Sequence, residues 1–164
     1  TMGRIRVYGE DVLRKKTEEI GNIDAEIKKL IKSMISTLKQ KNGLGLAAPQ
    51  IGISKRIFLA LNENKNGIIT AVNPVLADTD GEEIDLEGCL SFPEVYFSIQ
   101  RARKAVLKAY DEKGREFIIE AKGLLARCFQ HEMDHLNGKL IIDYASDEEK
   151  KVWREKIRNF RKYS

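Results

Sequence analysis

Apolar residues recur at steps of three and four along the first third of the chain, at Ile27, Leu30, Ile31, Met34, Ile35 and Leu38. That spacing lines one face of a helix. Asp24 stands where an N-cap belongs, and Asn42-Gly43 can end the helix. Residues 56–61 and 68–72 read as strands joined through a turn-rich linker over 62–67. A second hairpin is predicted from 104–110 and 116–121, with Asp111-Glu112-Lys113-Gly114 as its turn. Leu124, Leu125, Phe129, Met133 and Leu136 then make the stretch from Gly123 to Asn137-Gly138 a helix that is largely apolar, the mark of a buried one. Near the C-terminal end, Ser146 and Glu149 fit a capping box, and Val152, Trp153, Ile157 and Phe160 recur at helical spacing. The expected class is α+β, with antiparallel sheets around a central helix, an N-terminal amphipathic helix and a C-terminal helix.

The central helix carries the chain's chemistry. His131 and His135, both histidines of the protein, are four residues apart, and Glu132 follows the first. Residues so spaced lie one above the other, about 6 Å apart along the axis. Two imidazoles can thus grip one metal ion while the glutamate works on water, the logic of the H-E-x-x-H pattern. A solvated surface would also accept two histidines and a glutamate. The apolar flanks argue against it, because buried imidazoles and a buried carboxylate need partners. The central helix is therefore read as metal-binding.

Composition frames this site. The chain has 164 residues, 42% hydrophobic and 33% charged, as expected of one globular domain over 1–164. No apolar run approaches the ~20 residues of a membrane span, and no signal-peptide core precedes the fold. A cytoplasmic protein without a disulfide framework is expected. Thr1 ahead of Met2 reads as a cloning remnant. The net charge is only +4, but Lys150, Lys151, Arg154, Lys156, Arg158, Arg161 and Lys162 crowd the C-terminal segment. This stripe is either a solvated helix face or a patch that touches phosphates.

A catalytic site of this kind takes three protein ligands and keeps one position open. With no third histidine, the remaining ligand is a cysteine or a carboxylate. Cys128 shares the helix face but stands seven residues from His135, about 10 Å along the axis. That is too far for three ligands on one stripe to close around an ion. Cys89 lies in a separate segment, Glu87-Gly88-Cys89-Leu90-Ser91, where Gly88 permits close backbone approach. Cys89 is favoured as the ligand and Cys128 as a buried wall residue. The stretch Gly43-Leu44-Gly45-Leu46-Ala47-Ala48-Pro49-Gln50 lets an extended ligand near the backbone, and Gln50 can offer an amide to developing charge. Alone it is a weak signal, since most Gly-Ala-Pro stretches are merely turns. It lacks the Lys-Ser/Thr ending of a phosphate-binding loop, which excludes nucleotide binding of that type.

Taken together and in this order, the three segments resemble peptide deformylase, whose motifs are G-x-G-L-A-A-P-Q, E-G-C-L-S and Q-H-E-x-D-H-L-x-G. Residues 43–50, 87–91 and 130–138 match them without a break. The resemblance runs from Arg14 to the C-terminal segment, and the helical ending is similar to that of one bacterial class. Arg127 departs from the pattern, standing where many members carry an apolar residue beside the substrate pocket. The resemblance implies a metal held by Cys89, His131 and His135, and an N-formylmethionyl peptide as substrate. It implies attack of metal-activated water on the formyl carbon, with Glu132 as general base and then acid. Gln50 and the backbone N–H of Leu90 would steady the oxyanion. Gly43, Gly45, Leu46, Gly88 and Cys128 would line the substrate's path, with the Gly45 region pairing to the peptide as an added strand. Fe2+ is the expected cellular metal, and Zn2+, Ni2+ or Co2+ also suits a thiolate and two imidazoles. An iron centre of this kind should be sensitive to oxygen. The implied substrate turns the basic stripe into a candidate ribosome contact.

Two other readings compete. A general zinc metallopeptidase would share the histidines and Glu132, but such enzymes commonly use a histidine or glutamate where Cys89 is expected here. A metal-bound peptide-binding module without turnover would need neither Glu132 nor Gln50, and both are present.

Overall fold

The computed structural model describes residues 4–62 and 67–163, with side chains through Arg158. Thr1, Met2 and linker residues 63–66 lie outside the described residues, as do the side chains of Phe160, Arg161 and Lys162.

Helix α1 (Ala25–Lys41) forms where its apolar spacing predicts it. The Asp24 carboxylate accepts from the Ile27 N–H at 3.0 Å, and Asn42 leaves the helix at φ 52°. Seven strands follow among the described residues: β1 (Gly45–Ala47), β2 (Ile57–Asn62), β3 (Gly67–Asp80), β4 (Glu83–Cys89), β5 (Phe92–Arg101), β6 (Lys104–Tyr110) and β7 (Glu116–Lys122). Five make an antiparallel sheet in the order β1-β2-β3-β6-β7, and β4 and β5 form a separate hairpin. Helix α2 (Gly123–Leu136) lies across the sheet and α3 (Asp147–Tyr163) closes the described chain.

The unalternating run at 57–60 follows from this layering. Phe58 and Ala60 pack toward Ala126, Phe129 and Leu136 of α2, while Ile57 and Leu59 pack toward Ile31, Met34 and Leu38 of α1. A strand covered on both faces reads as a continuous apolar run. On the α2 side the sheet offers Ala47, Ala71, Ala105, Ala109 and Ala121. These small side chains let the helix lie close to the strands. A third cluster joins Phe92, Phe97 and Ile99 of β5 to Leu13, Leu140 and Trp153.

Several expectations need correcting. Strand β3 runs well beyond residue 72, because the polar Asn73 and Pro74 occupy a bulge rather than an end. Asn73, at φ 49°, uses its amide to bond both the N–H and the C=O of Ile20 at 2.8 Å. The 43–50 segment, which alone reads as a turn, holds strand β1 and then a 3-10 turn over Ala48–Ile51. The α3 capping box is present, at 3.0 and 3.1 Å between Ser146 and Glu149. Trp153 packs on Tyr8 and Phe92, but Val152, expected on the same apolar face, is 55% exposed. Leu124 likewise is half exposed on the helix read as buried. Among the described residues, no helix is long and apolar enough to cross a membrane.

Candidate metal centre

Helix α2 is tied down at its middle and at its C-terminal end. The Gln130 amide donates to the carbonyls of Ala102 and Ala126 and accepts from the Ala102 N–H, tying the helix to the β5–β6 connection. At its C-terminal end the Leu136 carbonyl accepts from the N–H and hydroxyl of Thr17 and from Arg56. These bonds satisfy the Leu136 carbonyl, one of those that a helix end leaves open. His131, Glu132 and His135 are thereby fixed on a buried face, and the two imidazole centroids stand 5.0 Å apart.

Cys89 arrives from the end of β4. The preceding Gly88 lies under the Tyr96 ring, where a Cβ would come within 2.6 Å of it. The donor atoms of Cys89, His131 and His135 all lie within 4.8 Å of one another, and Cys89 Sγ is 3.3 Å from His135 Nε2. A thiolate and two imidazoles converging so closely suit one tetrahedral divalent cation with an open position. A second observation fits the same group. Glu132 Oε1 is buried and has no hydrogen-bond partner among the described residues, a costly condition unless the site normally holds something polar. Burial pushes the Glu132 carboxyl up to about 7.

Behind the donors stands an ionic clamp that sequence reasoning did not find. Glu87 Oε1 is 2.8 Å from His131 Nδ1, and Arg101 grips the same carboxylate through Nε and Nη2 at 2.8 and 2.9 Å. Burial alone would raise the Glu87 carboxyl, but bonds from Arg101 and His131 outweigh it and hold it at about 2. An ionised carboxylate can only accept, so His131 donates from Nδ1 and keeps Nε2 for the site. Arg101 Nη1 continues to Asp134 at 2.6 Å, which Tyr144 also meets at 2.6 Å. Glu87 belongs to a quoted motif, so its place was readable. Arg101 and Tyr144 carry no local signal.

Arg127 completes the clamp. Expected beside the pocket, it does line the cavity, but its side chain is buried. Its guanidinium bonds Glu87 Oε2 at 2.7 Å and the carbonyls of Ile99 and Glu83 at 2.9 and 2.8 Å. It therefore ties the β4–β5 hairpin to α2.

A cavity of about 450 Å³ opens beside Glu132 and is lined by Gly43, Gly45, Gln50, Gly88, Cys89, Leu90 and Cys128, among others. Gly45 faces Glu132, and a Cβ there would stand 2.5 Å from the carboxylate. Gln50 accepts from the Ala47 N–H at 2.9 Å and turns its Nε2 toward Cys89 Sγ at 3.5 Å and Ser91 Oγ at 3.2 Å. Cys128 is a wall residue: its Sγ meets the Leu44 carbonyl at 3.4 Å, and burial pushes its thiol up. Leu46 lies in β1 with its side chain fully buried on the α1 side.

This arrangement matches known proteins along nearly its whole length. The family model for polypeptide deformylase matches residues 2–151. The chain belongs to the peptide deformylase family. A peptide deformylase of Thermodesulfovibrio yellowstonii is 41% identical over 157 residues, covering 94% of this chain and 95% of the relative. One from Clostridium botulinum is 48% identical over 139 residues, covering 85% and 93%. The crystal structure of the Legionella pneumophila deformylase superposes with a TM-score of 0.94 at 38% identity, covering 99% of this chain and 97% of that one. The deformylase family is metal-dependent, and the Cys89/His131/His135 cluster is where this chain can meet that requirement.

Proposed function

We propose that the chain, working as one deformylase domain over residues 1–164, hydrolyses the formyl group of N-formylmethionyl peptides to formate and a free amine. One observation carries this reading: buried Glu132, with an unpartnered oxygen, stands beside three donors suited to one cation. Cys89, His131 and His135 would hold that cation, Fe2+ in the cell, with Zn2+, Ni2+ and Co2+ also suited to the donor set. When bound, it supplies Lewis acidity that lowers the pKa of a water and polarises the formyl oxygen.

The chain's own groups do the rest. Glu132 takes the proton from the attacking water and later gives it to the leaving nitrogen, so the C–N bond breaks with a neutral amine departing. The Gln50 amide and the Leu90 N–H donate to the oxyanion that forms between these steps. The edge strand β1, paired on one side to β2, offers main-chain groups to an extended peptide, and Gly43, Gly45, Gly88 and Cys128 shape its path. Such recognition reads backbone and one side chain, which suits a substrate class sharing only its first residue.

The exposed Lys151, Arg154, Lys156 and Arg158 of α3 support a contact with ribosomal phosphates in the cytoplasm, where nascent chains emerge. Side-by-side assays of formylated and free-amine versions of one peptide test the substrate reading. Formate from the first with no cleavage of the second supports it. Internal peptide cleavage of both would favour a general metallopeptidase.

A further inference from the structure

Resting on the oxyanion role just given to Gln50, we propose that Ser91 is a positioning residue whose hydroxyl aims the Gln50 amide into the site. Ser91 is fully buried in the two-residue turn between β4 and β5, directly after Leu90. Its Oγ accepts one Gln50 N–H at 3.2 Å, while Cys89 Sγ lies 3.5 Å from the same nitrogen. The amide has two N–H groups. Ser91, which is not among the cavity-lining residues, engages one and leaves the other to face Cys89 Sγ on the cavity wall. The Ala47 N–H holds Oε1 at 2.9 Å, so the oxygen end is fixed, but one bond leaves the amide plane free to rotate about it. Ser91, with the longer contact to Cys89 Sγ beside it, supplies the bond at the nitrogen end that sets the plane.

The backbone around this pair is secured independently. The Arg6 N–H donates to the Gln50 carbonyl at 2.7 Å and the Tyr8 N–H to the Ser91 carbonyl at 3.0 Å. One N-terminal segment thus stitches together the two elements that carry the proposed oxyanion donors. Removing the Ser91 hydroxyl leaves both stitches in place, so the change should reach the amide rather than the fold. A serine kept there only for its small size would not couple to Gln50.

The test is a double-mutant cycle on metal-loaded protein with a formyl-Met tripeptide: parent, Ser91→Ala, Gln50→Ala and the double variant. Ser91→Ala should lower kcat about 3–10-fold, the worth of one neutral hydrogen bond, with KM within about twofold. That loss should vanish in the Gln50→Ala background. In zinc-loaded protein, one Gln50 side-chain N–H should lose protection from hydrogen exchange in Ser91→Ala, with unchanged metal content. An equal Ser91→Ala loss with and without Gln50, or no loss at all, overturns the positioning role. Should Gln50→Ala itself turn over like the parent, the oxyanion role of Gln50 fails, and the inference falls with it.

Discussion

A Cβ placed on Gly45 would stand 2.5 Å from Glu132 Oε2 and 2.8 Å from Cys128 Sγ. Strand β1 and helix α2 are so close here that only a hydrogen fits between them. Gly45→Ala must push either the carboxylate or the strand edge aside, with backbone on one side and a buried helix on the other. The protein should still fold, losing about 1–3 kcal/mol as overpacked cores do. Turnover should fall about 100-fold, the scale expected when a reacting group is displaced by roughly 1 Å. Steady-state kinetics beside a melting curve checks this, and near-parental kcat/KM would refute the contact.

Glu132→Gln keeps the shape of the side chain and removes its basicity. It should reduce kcat by about 10²–10⁴-fold while Cys89, His131 and His135 retain metal. Elemental analysis of the purified variant separates this outcome from simple loss of the ion. A variant that keeps turnover would remove Glu132 from the proton path.

Arg127→Met replaces a buried guanidinium with an apolar chain of similar length. Glu87 keeps Arg101, but the carbonyls of Ile99 and Glu83 lose the guanidinium as a donor. Breaking one partner of a buried ionic group, with the other retained, should cost about 2–3 kcal/mol, roughly 5–10 °C in Tm. Methionine should remain the preferred first residue, since the guanidinium is spent on the hairpin. An unchanged Tm would show that Arg127 is not a tie between β4–β5 and α2.

Reversing Arg154, Arg158 and Arg161 to glutamate should weaken cosedimentation with ribosomes while sparing hydrolysis of short free peptides. The side chain of Arg161 lies outside the described residues, whereas Arg154 and Arg158 are exposed. Binding that survives reversal would leave the stripe as a solvated helix face.

How much of this was readable beforehand depended on range along the chain. His131, Glu132 and His135 announce themselves because one helix turn brings them together, and Cys89 followed from the short supply of other ligands. The clamp did not, since Glu87 meets His131 across 44 residues and Arg101 across 14, and no local pattern encodes such a meeting. Strand β5 had a signal that went unused: Val95, Phe97 and Ile99 alternate and all point inward. Strand β4 hid its nature because Ile84 and Leu86 face outward at 69% and 62% exposure. Asn73-Pro74 concealed the length of β3, as a bulge and a strand end look alike in sequence.

The most direct measurement is formate release from a formyl-Met tripeptide by anaerobically iron-loaded protein, beside aerobically zinc-loaded protein and a Cys89→Ala variant. Rapid release by the iron form, less by the zinc form, and collapse in Cys89→Ala are the predicted results. No formate from fully metallated parent protein would contradict deformylation by this site, and undiminished release by Cys89→Ala would contradict the thiolate ligand.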